Sequence, residues 1–193
     1  MNLVDILSID PTIDIDIRYA TENNFLHRPL YTQAVCYLHF DVATALHRVQ
    51  QEARKRGLSL KIFDGYRPLH VQVLMWEAIR DERYVSNPYK SRGRHTRGTA
   101  VDLTLLNSLG QELKMPSQFD EFSEQAYAHF EDLSQEANRN GALLKALMEH
   151  EGFIAYPFEW WHFDFSGWND DAKYPALDLS FETINASEKE RKR

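Results

Sequence analysis

The sequence contains one cysteine, Cys36, and therefore cannot form an intramolecular disulfide. A single thiol also excludes thiolate-rich structural zinc sites and is typical of proteins kept in a reducing compartment. No run approaches the roughly 18 consecutive apolar residues that a membrane-spanning helix needs. Near its start the chain carries the acidic Asp5, where a secretory signal peptide carries positive charge. These absences predict a cytoplasmic protein that has no membrane segment.

Basic residues are in the minority. The chain has 22 Lys and Arg against 29 Asp and Glu, which gives a formal net charge of −7 and a pI near 5.6. Nucleic-acid binding needs a basic face, so this balance argues against a nucleic-acid partner. Hydrophobic residues make up 43% of the 193 residues, an ordinary share for a globular protein. No feature of the sequence specifies an oligomeric state.

Apolar residues recur in turn at helix and strand spacings. Helical spacing predicts helices over 41–56, 68–80 and 138–151. Alternation and short apolar runs predict strands over 13–17, 59–64, 99–105 and 160–165. The polar segment 107–140 is interpreted as an insertion over one face. This mixture without regular βαβ spacing favours an α+β fold, with one domain over 1–186 and a charged, flexible tail over 187–193.

Two of the eight histidines, His95 and His162, are candidate metal ligands. An extended chain would separate His95 from Asp102 by about 23 Å, so both reach one ion only if the chain reverses between them. Gly98 allows such a reversal at little steric cost. His95, Asp102 and His162 then form a set with an open fourth position, which is typical of catalytic zinc. The other histidines are interpreted as ordinary solvated or helical residues: His27, His39, His47, His70, His129 and His150.

Two further residues fit a hydrolytic centre. Strand alternation puts Glu159 and His162 on opposite faces, so Glu159 must lie in the bend after Pro157, or the strand must bulge. A carboxylate placed there is suited to take a proton from an activated water, although an exposed acid opening the strand is the alternative. Arg67 precedes a helix and is suited to stabilise an oxyanion. A salt bridge from Arg67 to Asp64 is the simpler interpretation.

Together these motifs resemble those of the zinc D-alanyl-D-alanine dipeptidases of the vancomycin-resistance type. The resemblance covers most of the chain, and its motifs occur in the family's order at suitable separations. The matching segments are Arg18-Tyr19-Ala20-Thr21 with Asn24-Phe25, Asp64-Gly65-Tyr66-Arg67-Pro68, the run from His95 to Leu105, Phe119-Asp120-Glu121, and Glu159-Trp160-Trp161-His162.

The resemblance implies a zinc peptidase that cleaves D-Ala-D-Ala into two D-Ala. It implies one zinc ion per chain, held by His95, Asp102 and His162. It also implies that Glu159 is the general base and that Arg67 stabilises the developing oxyanion.

The resemblance has consequences for substrate binding and for the fold. It implies that Tyr19 and Asp120 meet the free ammonium group of the substrate, which helps to limit the enzyme to dipeptides. The implied fold has a central, mostly antiparallel sheet flanked by helices and is shared with D,D-carboxypeptidases and the Hedgehog signalling domain.

The chain departs from the family at one position. Where the family usually has Ser, two residues before the first metal-binding His, this chain has Gly93, followed by Arg94. The change removes no metal ligand. We expect either that Arg94 holds the substrate carboxylate instead or that the enzyme acts on dipeptides of other composition or stereochemistry.

Three other interpretations stay open from the residues. A D,D-carboxypeptidase of the same superfamily would cut longer peptides, but the Tyr19 and Asp120 pair argues against it. Two histidines and a carboxylate are also the facial triad of non-haem Fe(II) oxygenases. A binding module could keep its zinc for structure. In the last two cases Glu159 and Arg67 would have no evident role.

Overall fold

The computed structural model describes residues 2–127 and 134–191, with the backbone alone for 188–191. Part of the predicted insertion, 128–133 with His129, lies outside the described residues. The described helices and strands are β1 (Leu3–Asp5), α1 (Ile6–Ile9), β2 (Asp14–Ile15), β3 (Tyr37–His39), α2 (Phe40–Arg54), β4 (Ser59–Asp64), α3 (Leu69–Ile79), β5 (Ala100–Leu106), α4 (Gln135–His150), β6 (Phe153–Ala155), β7 (His162–Phe165) and α5 (Phe181–Arg191). Across these residues, every helix is too short or too polar to cross a membrane.

A five-stranded sheet forms the centre of the molecule, in the order β2-β4-β5-β7-β6. Strand β2 pairs with β4 in parallel, and the other pairs in this sheet are antiparallel. Strands β1 and β3 form a separate antiparallel pair. Helices α2 and α4 pack against each other and contact the sheet at β4 and β6. The predicted α+β class with a mostly antiparallel sheet is confirmed.

The apolar pattern of α2 explains how this helix docks. Val42, Leu46, Val49 and Ala53 recur at helical spacing, and all are fully buried. Burying such a face against a sheet stabilises the helix more than its intrinsic propensity does. The helix ends shortly before Gly57, whose φ of +71° lies in the left-handed region favoured by glycine.

Several boundaries differ from the sequence-based expectation. Strand β2 covers Asp14–Ile15 within the longer strand predicted over 13–17. Pro68 caps α3 instead of forming its first residue. Helix α5 was not predicted, and its backbone runs to Arg191, into the segment 187–193 that was interpreted as a tail.

The register of the central strands brings the candidate site together. Asp102 on β5 lies opposite His162 on β7 and, on the other side, opposite Asp64 on β4. A register irregularity between Ile62 and Asp64 accompanies the second pairing. Three segments that are far apart in the chain therefore meet at one end of β5.

Candidate active site

The chain reverses between His95 and Asp102, as the sequence predicts. A single 3-10 turn runs from His95 to Arg97, and Gly98 follows it with a φ of +67°. A Cβ at Gly98 would lie 2.5 Å from Leu3 Cδ2 and 3.0 Å from the His39 nitrogen, so this position needs glycine for both space and conformation.

The reversal brings His95, Asp102 and His162 into one cluster, in which one ligand atom from each residue lies within 4.8 Å of the others. His162 Nδ1 lies 2.9 Å from Asp102 Oδ1, and His95 Nε2 lies 3.4 Å from Asp102 Oδ2. The two facing ring nitrogens are 3.2 Å apart. All three residues are buried.

The outer nitrogens of both imidazoles are hydrogen-bonded to groups that only accept. His95 Nδ1 donates to the Gly65 carbonyl at 2.7 Å, and His162 Nε2 donates to Asp164 Oδ1 at 3.0 Å. In a neutral imidazole the other nitrogen then carries a lone pair. When both rings are neutral, as metal binding requires, the lone pairs are on His95 Nε2 and His162 Nδ1, which face the Asp102 carboxylate. In the absence of a cation, protons on these nitrogens stabilise the ionised Asp102 instead. This donor set fits a catalytic zinc ion.

Asp102 is buried but favours its ionised form. Burial opposes ionisation, but the charges and hydrogen bonds of His95 and His162 outweigh it and hold the pKa of Asp102 well below its usual range. An ionised carboxylate is the form that binds a cation.

Glu159 lies in the turn before β7, and His162 donates its backbone N–H to the Glu159 carbonyl at 3.2 Å. The predicted position in the bend is confirmed. Glu159 Oε2 is 3.8 Å from His162 Nδ1, and the side chain is buried. Burial raises the pKa of Glu159 well above its usual range; His162 opposes this shift, and the charges of Asp102 and Asp120 add to it.

Arg67 makes the predicted salt bridge to Asp64 and also lines the cavity beside the cluster. Its Nε and one terminal nitrogen donate to Asp64 Oδ2 at 3.1 and 2.8 Å, and the other terminal nitrogen donates to Gln72 at 3.0 Å. Burial disfavours its charge, but Asp64 outweighs burial and raises the pKa of Arg67. The guanidinium is thus a fixed cation, held 3.9 Å from Asp102.

Tyr19 and Asp120 meet across 101 residues of chain, where the Tyr19 hydroxyl donates to Asp120 Oδ1 at 2.9 Å. The second oxygen, Oδ2, is buried without a hydrogen-bond partner among the described residues. Asp120 also has a φ of +61°, in the left-handed region that few non-glycine residues adopt. Burial raises the pKa of Asp120 to about 7, although the Tyr19 hydrogen bond lowers it.

Arg94 lies on the cavity wall. Its Nε lies 3.2 Å from Asp164 Oδ2, and its guanidinium stacks on the rings of Tyr156 and Trp168 at 4.7 and 5.1 Å from their centroids. Preceding it, Gly93 has a φ of +91°. A Cβ at Gly93 would lie 3.3 Å from Gln72, so the position tolerates little beyond glycine.

One small cavity of about 30 Å³ is bordered by the three residues of the cluster and by Tyr19, Arg67, Arg94, Asp120 and Glu159. Tyr84 and Phe122 also line this cavity, and their rings stack with centroids 4.7 Å apart. We call these two rings the roof of the cavity. The cluster, Glu159, Arg67, Asp120 and Arg94 therefore share one enclosed space.

Sequence reasoning missed two groups that hold the ligands. The Gly65 carbonyl leaves no side-chain signal. Asp164 does leave one, because residues two apart on a strand share a face, and His162 and Asp164 both lie on β7. The sequence alone could therefore have identified Asp164 as a hydrogen-bond partner of the candidate ligand His162.

Comparison with known proteins decides the family. The peptidase M15 family, described as D-ala-D-ala dipeptidase, matches residues 1–180, nearly all of the predicted domain. The chain belongs to this dipeptidase family. Members are hydrolases, so the oxygenase and binding-module interpretations are set aside.

Individual relatives agree with the family assignment. The chain is 39% identical over 175 residues to the D-alanyl-D-alanine dipeptidase of Escherichia coli K12, covering 91% of this chain and 89% of that protein. It is 31% identical over 186 residues to the D-alanyl-D-alanine dipeptidase of Enterococcus faecalis V583, covering 86% and 90%.

A solved LD-carboxypeptidase, LdcB, superimposes with a TM-score of 0.50 at 18% identity, covering 94% of this chain and 78% of that chain. This similarity shows a shared fold. The dipeptidase family and this neighbour together confirm the predicted peptidase architecture.

Proposed function

We propose that this member of the dipeptidase family is a zinc peptidase that hydrolyses D-Ala-D-Ala into two D-Ala. The observation that carries the proposal is the cavity shared by the three-ligand cluster, the buried Glu159 and the unpartnered oxygen of Asp120. A metal site, a proton acceptor and a group for the substrate ammonium thereby border the same cavity.

His95, Asp102 and His162 are the residues that hold the metal. When bound there, zinc supplies a Lewis acid that polarises the scissile carbonyl and lowers the pKa of water. The imidazole hydrogen bonds to Gly65 and Asp164 keep both rings oriented for ligation.

Glu159 is the general base of the proposed reaction. Burial raises the pKa of Glu159, and a cation held by the cluster would lower it. The ionised carboxylate, beside the cluster, takes a proton from the attacking water and then returns that proton to the leaving amine. The turn before β7 places the backbone of Glu159 next to His162, and its side chain borders the same cavity as the metal ligands.

Arg67 stabilises the negative charge that develops on the carbonyl oxygen. Asp64 and Gln72 hold the guanidinium before substrate arrives, so little reorganisation accompanies the reaction. The salt bridge to Asp64 and the oxyanion role are therefore compatible.

The ammonium group and the carboxylate of the substrate are each assigned to a protein side chain of opposite charge. Asp120 Oδ2, which has no hydrogen-bond partner within residues 2–127 and 134–187, accepts from the substrate ammonium group. Arg94 binds the substrate carboxylate in place of the serine that Gly93 replaces. Tyr84 and Phe122 also border this cavity, and we assign to these two rings the preference for a dipeptide over the longer substrate of a carboxypeptidase.

Hydrolysis by zinc-loaded protein tests the proposal. D-Ala-D-Ala should be cleaved in a metal-dependent way, and a pentapeptide ending in D-Ala-D-Ala should not. L-Ala-L-Ala and L-Ala-D-Ala should be poor substrates. Preferential cleavage of L-Ala-L-Ala or L-Ala-D-Ala would show that the enzyme prefers a dipeptide of other stereochemistry. If zinc-loaded protein cleaved none of these peptides, the proposed activity would be refuted.

We also propose that the enzyme acts in the cytoplasm. Its one thiol, Cys36, is buried, and burial raises the pKa of that thiol well above its usual range. A single buried thiol of this kind is typical of proteins kept in a reducing compartment. Cell fractionation with an antibody to the protein tests this assignment.

A further inference from the structure

Asp164 contacts two functional groups at once. Oδ1 accepts from His162 Nε2 at 3.0 Å, and Oδ2 lies 3.2 Å from Arg94 Nε. We propose that Asp164 is a positioning residue that couples the metal ligand His162 to the carboxylate-binding residue Arg94. This inference rests on the proposed function, because it assigns Arg94 to the substrate.

The position of Asp164 on β7 explains its first contact. Asp164 follows His162 by two residues, so both side chains lie on one face of the strand. Asp164 is buried, and within the sheet it pairs with Ala100 on β5 and Ile154 on β6. A carboxylate held this firmly fixes the ring of His162 and the hydrogen on Nε2, which leaves Nδ1 free for the metal.

The second contact fixes Arg94. Its guanidinium is held from one side by Asp164 and packs on the rings of Tyr156 and Trp168. These contacts restrict a long side chain that would otherwise sample many rotamers. A guanidinium restricted in this way can bind a carboxylate with little further loss of rotamer freedom.

Four variants separate the two contacts: Asp164→Ala, Asp164→Asn, Arg94→Gln and the double variant Asp164→Asn/Arg94→Gln. Zinc affinity is measured by competition with a chromophoric chelator, independently of turnover. KM and kcat are measured with D-Ala-D-Ala, and folding is checked by thermal unfolding of the metal-free protein.

Asp164→Ala loses both contacts, so zinc affinity should fall by about 10- to 100-fold and KM should rise. Arg94→Gln should raise KM about 10-fold or more with unchanged zinc affinity, since it removes one charge-assisted contact. In Asp164→Asn the amide oxygen still accepts from His162, but the NH₂ group cannot accept from Arg94. It should therefore raise KM while keeping most of the zinc affinity. The double variant should have the KM of Arg94→Gln alone.

Asp10 provides a matched control. It is a buried aspartate whose Oδ2 lies 2.8 Å from His47 Nδ1, and it does not border the cavity. Asp10→Asn should leave zinc affinity and KM unchanged even if it lowers the melting temperature. A general effect of losing a buried aspartate–histidine contact would instead appear in both variants.

The outcomes distinguish this inference from the proposed function. Wild-type zinc affinity in Asp164→Ala, or additive KM effects in the double variant, would overturn the coupling role of Asp164. Wild-type protein that binds zinc but cleaves no dipeptide would overturn the proposed function, and the zinc affinities would still test the contact between Asp164 and His162.

Discussion

The ring of His95 and the backbone of Gly65 are joined by a 2.7 Å hydrogen bond from Nδ1 to the carbonyl oxygen. Gly65 follows β4 directly, so this bond attaches a metal ligand to the end of a central strand. Gly65 also lies too close to its neighbours for a side chain, since a Cβ would be 2.7 Å from Cys36 Sγ and 2.9 Å from the Tyr37 carbonyl.

Gly65→Ala should therefore weaken both the fold and the metal site. The methyl group must displace backbone atoms, which should lower the free energy of unfolding by about 1–3 kcal/mol. The displaced carbonyl should also lower zinc affinity several-fold. Chemical unfolding of the metal-free protein and chelator competition measure the two effects. Gly141→Ala in α4 is the control, because its Cβ would make an ordinary 3.4 Å contact with Pro116; that variant should keep full zinc affinity.

Glu159→Gln should remove turnover without removing the metal. The amide keeps the shape of the side chain but cannot accept the proton, so kcat should fall by about 10²- to 10⁴-fold. His162→Ala should instead lose the zinc. Metal content after gel filtration, measured beside kcat, separates the two variants. Full activity in zinc-loaded Glu159→Gln would require a different base.

The binding of the substrate should depend on pH through Asp120. Its pKa is raised to about 7, and only the ionised carboxylate attracts an ammonium group. The ionised fraction grows as the pH rises through 7, so KM for D-Ala-D-Ala should fall between pH 6 and pH 7.5. Asp120→Asn should have a higher KM that changes little over this range. An unchanged pH profile in this variant would assign the titration to another group.

The raised pKa of Asp120 also affects the stability of the fold: the ionised form that favours substrate binding destabilises the folded chain. The pKa of Asp120 is higher in the folded chain than its ordinary value of 3.8, so the folded state binds the proton more tightly. The contribution of Asp120 to the free energy of unfolding therefore falls as the pH rises from about 4 to 7. Asp120→Asn should lack this decrease, so it should gain stability relative to wild type between pH 4 and pH 8. Urea unfolding at several pH values measures the difference, and a constant difference would contradict the expectation.

The roof of the cavity should restrict substrate length. Tyr84→Ala removes the ring that stacks on Phe122 and opens the small cavity. We expect measurable cleavage of D-Ala-D-Ala-containing tripeptides by this variant and almost none by wild type. Parallel assays of D-Ala-D-Ala report whether the catalytic centre is intact, and equal tripeptide activity in both proteins would show that the roof does not select for length.

Local pattern predicted much of the fold. The strand over Ser59–Asp64 has the predicted bounds, and α2, α3, α4, β5 and β7 lie within a few residues of their predicted positions. These elements bury strongly periodic apolar faces, which are visible in a short window of sequence. The short strands β1, β3 and β6 were not predicted, because segments of three residues carry no resolvable period.

The sequence by itself determined the chemical identity of the site: two histidines, a carboxylate, a glutamate in a bend and a glycine that reverses the chain. These signals depend on residue type and on spacing along a single segment. Only the tertiary structure decided that Asp164 joins His162 to Arg94 and that the Gly65 carbonyl orients His95. It also decided that one oxygen of Asp120 is buried with no hydrogen-bond partner in the part of the chain that the structure describes. These relationships depend on strand register and on burial, which are set by contacts between segments far apart in the chain.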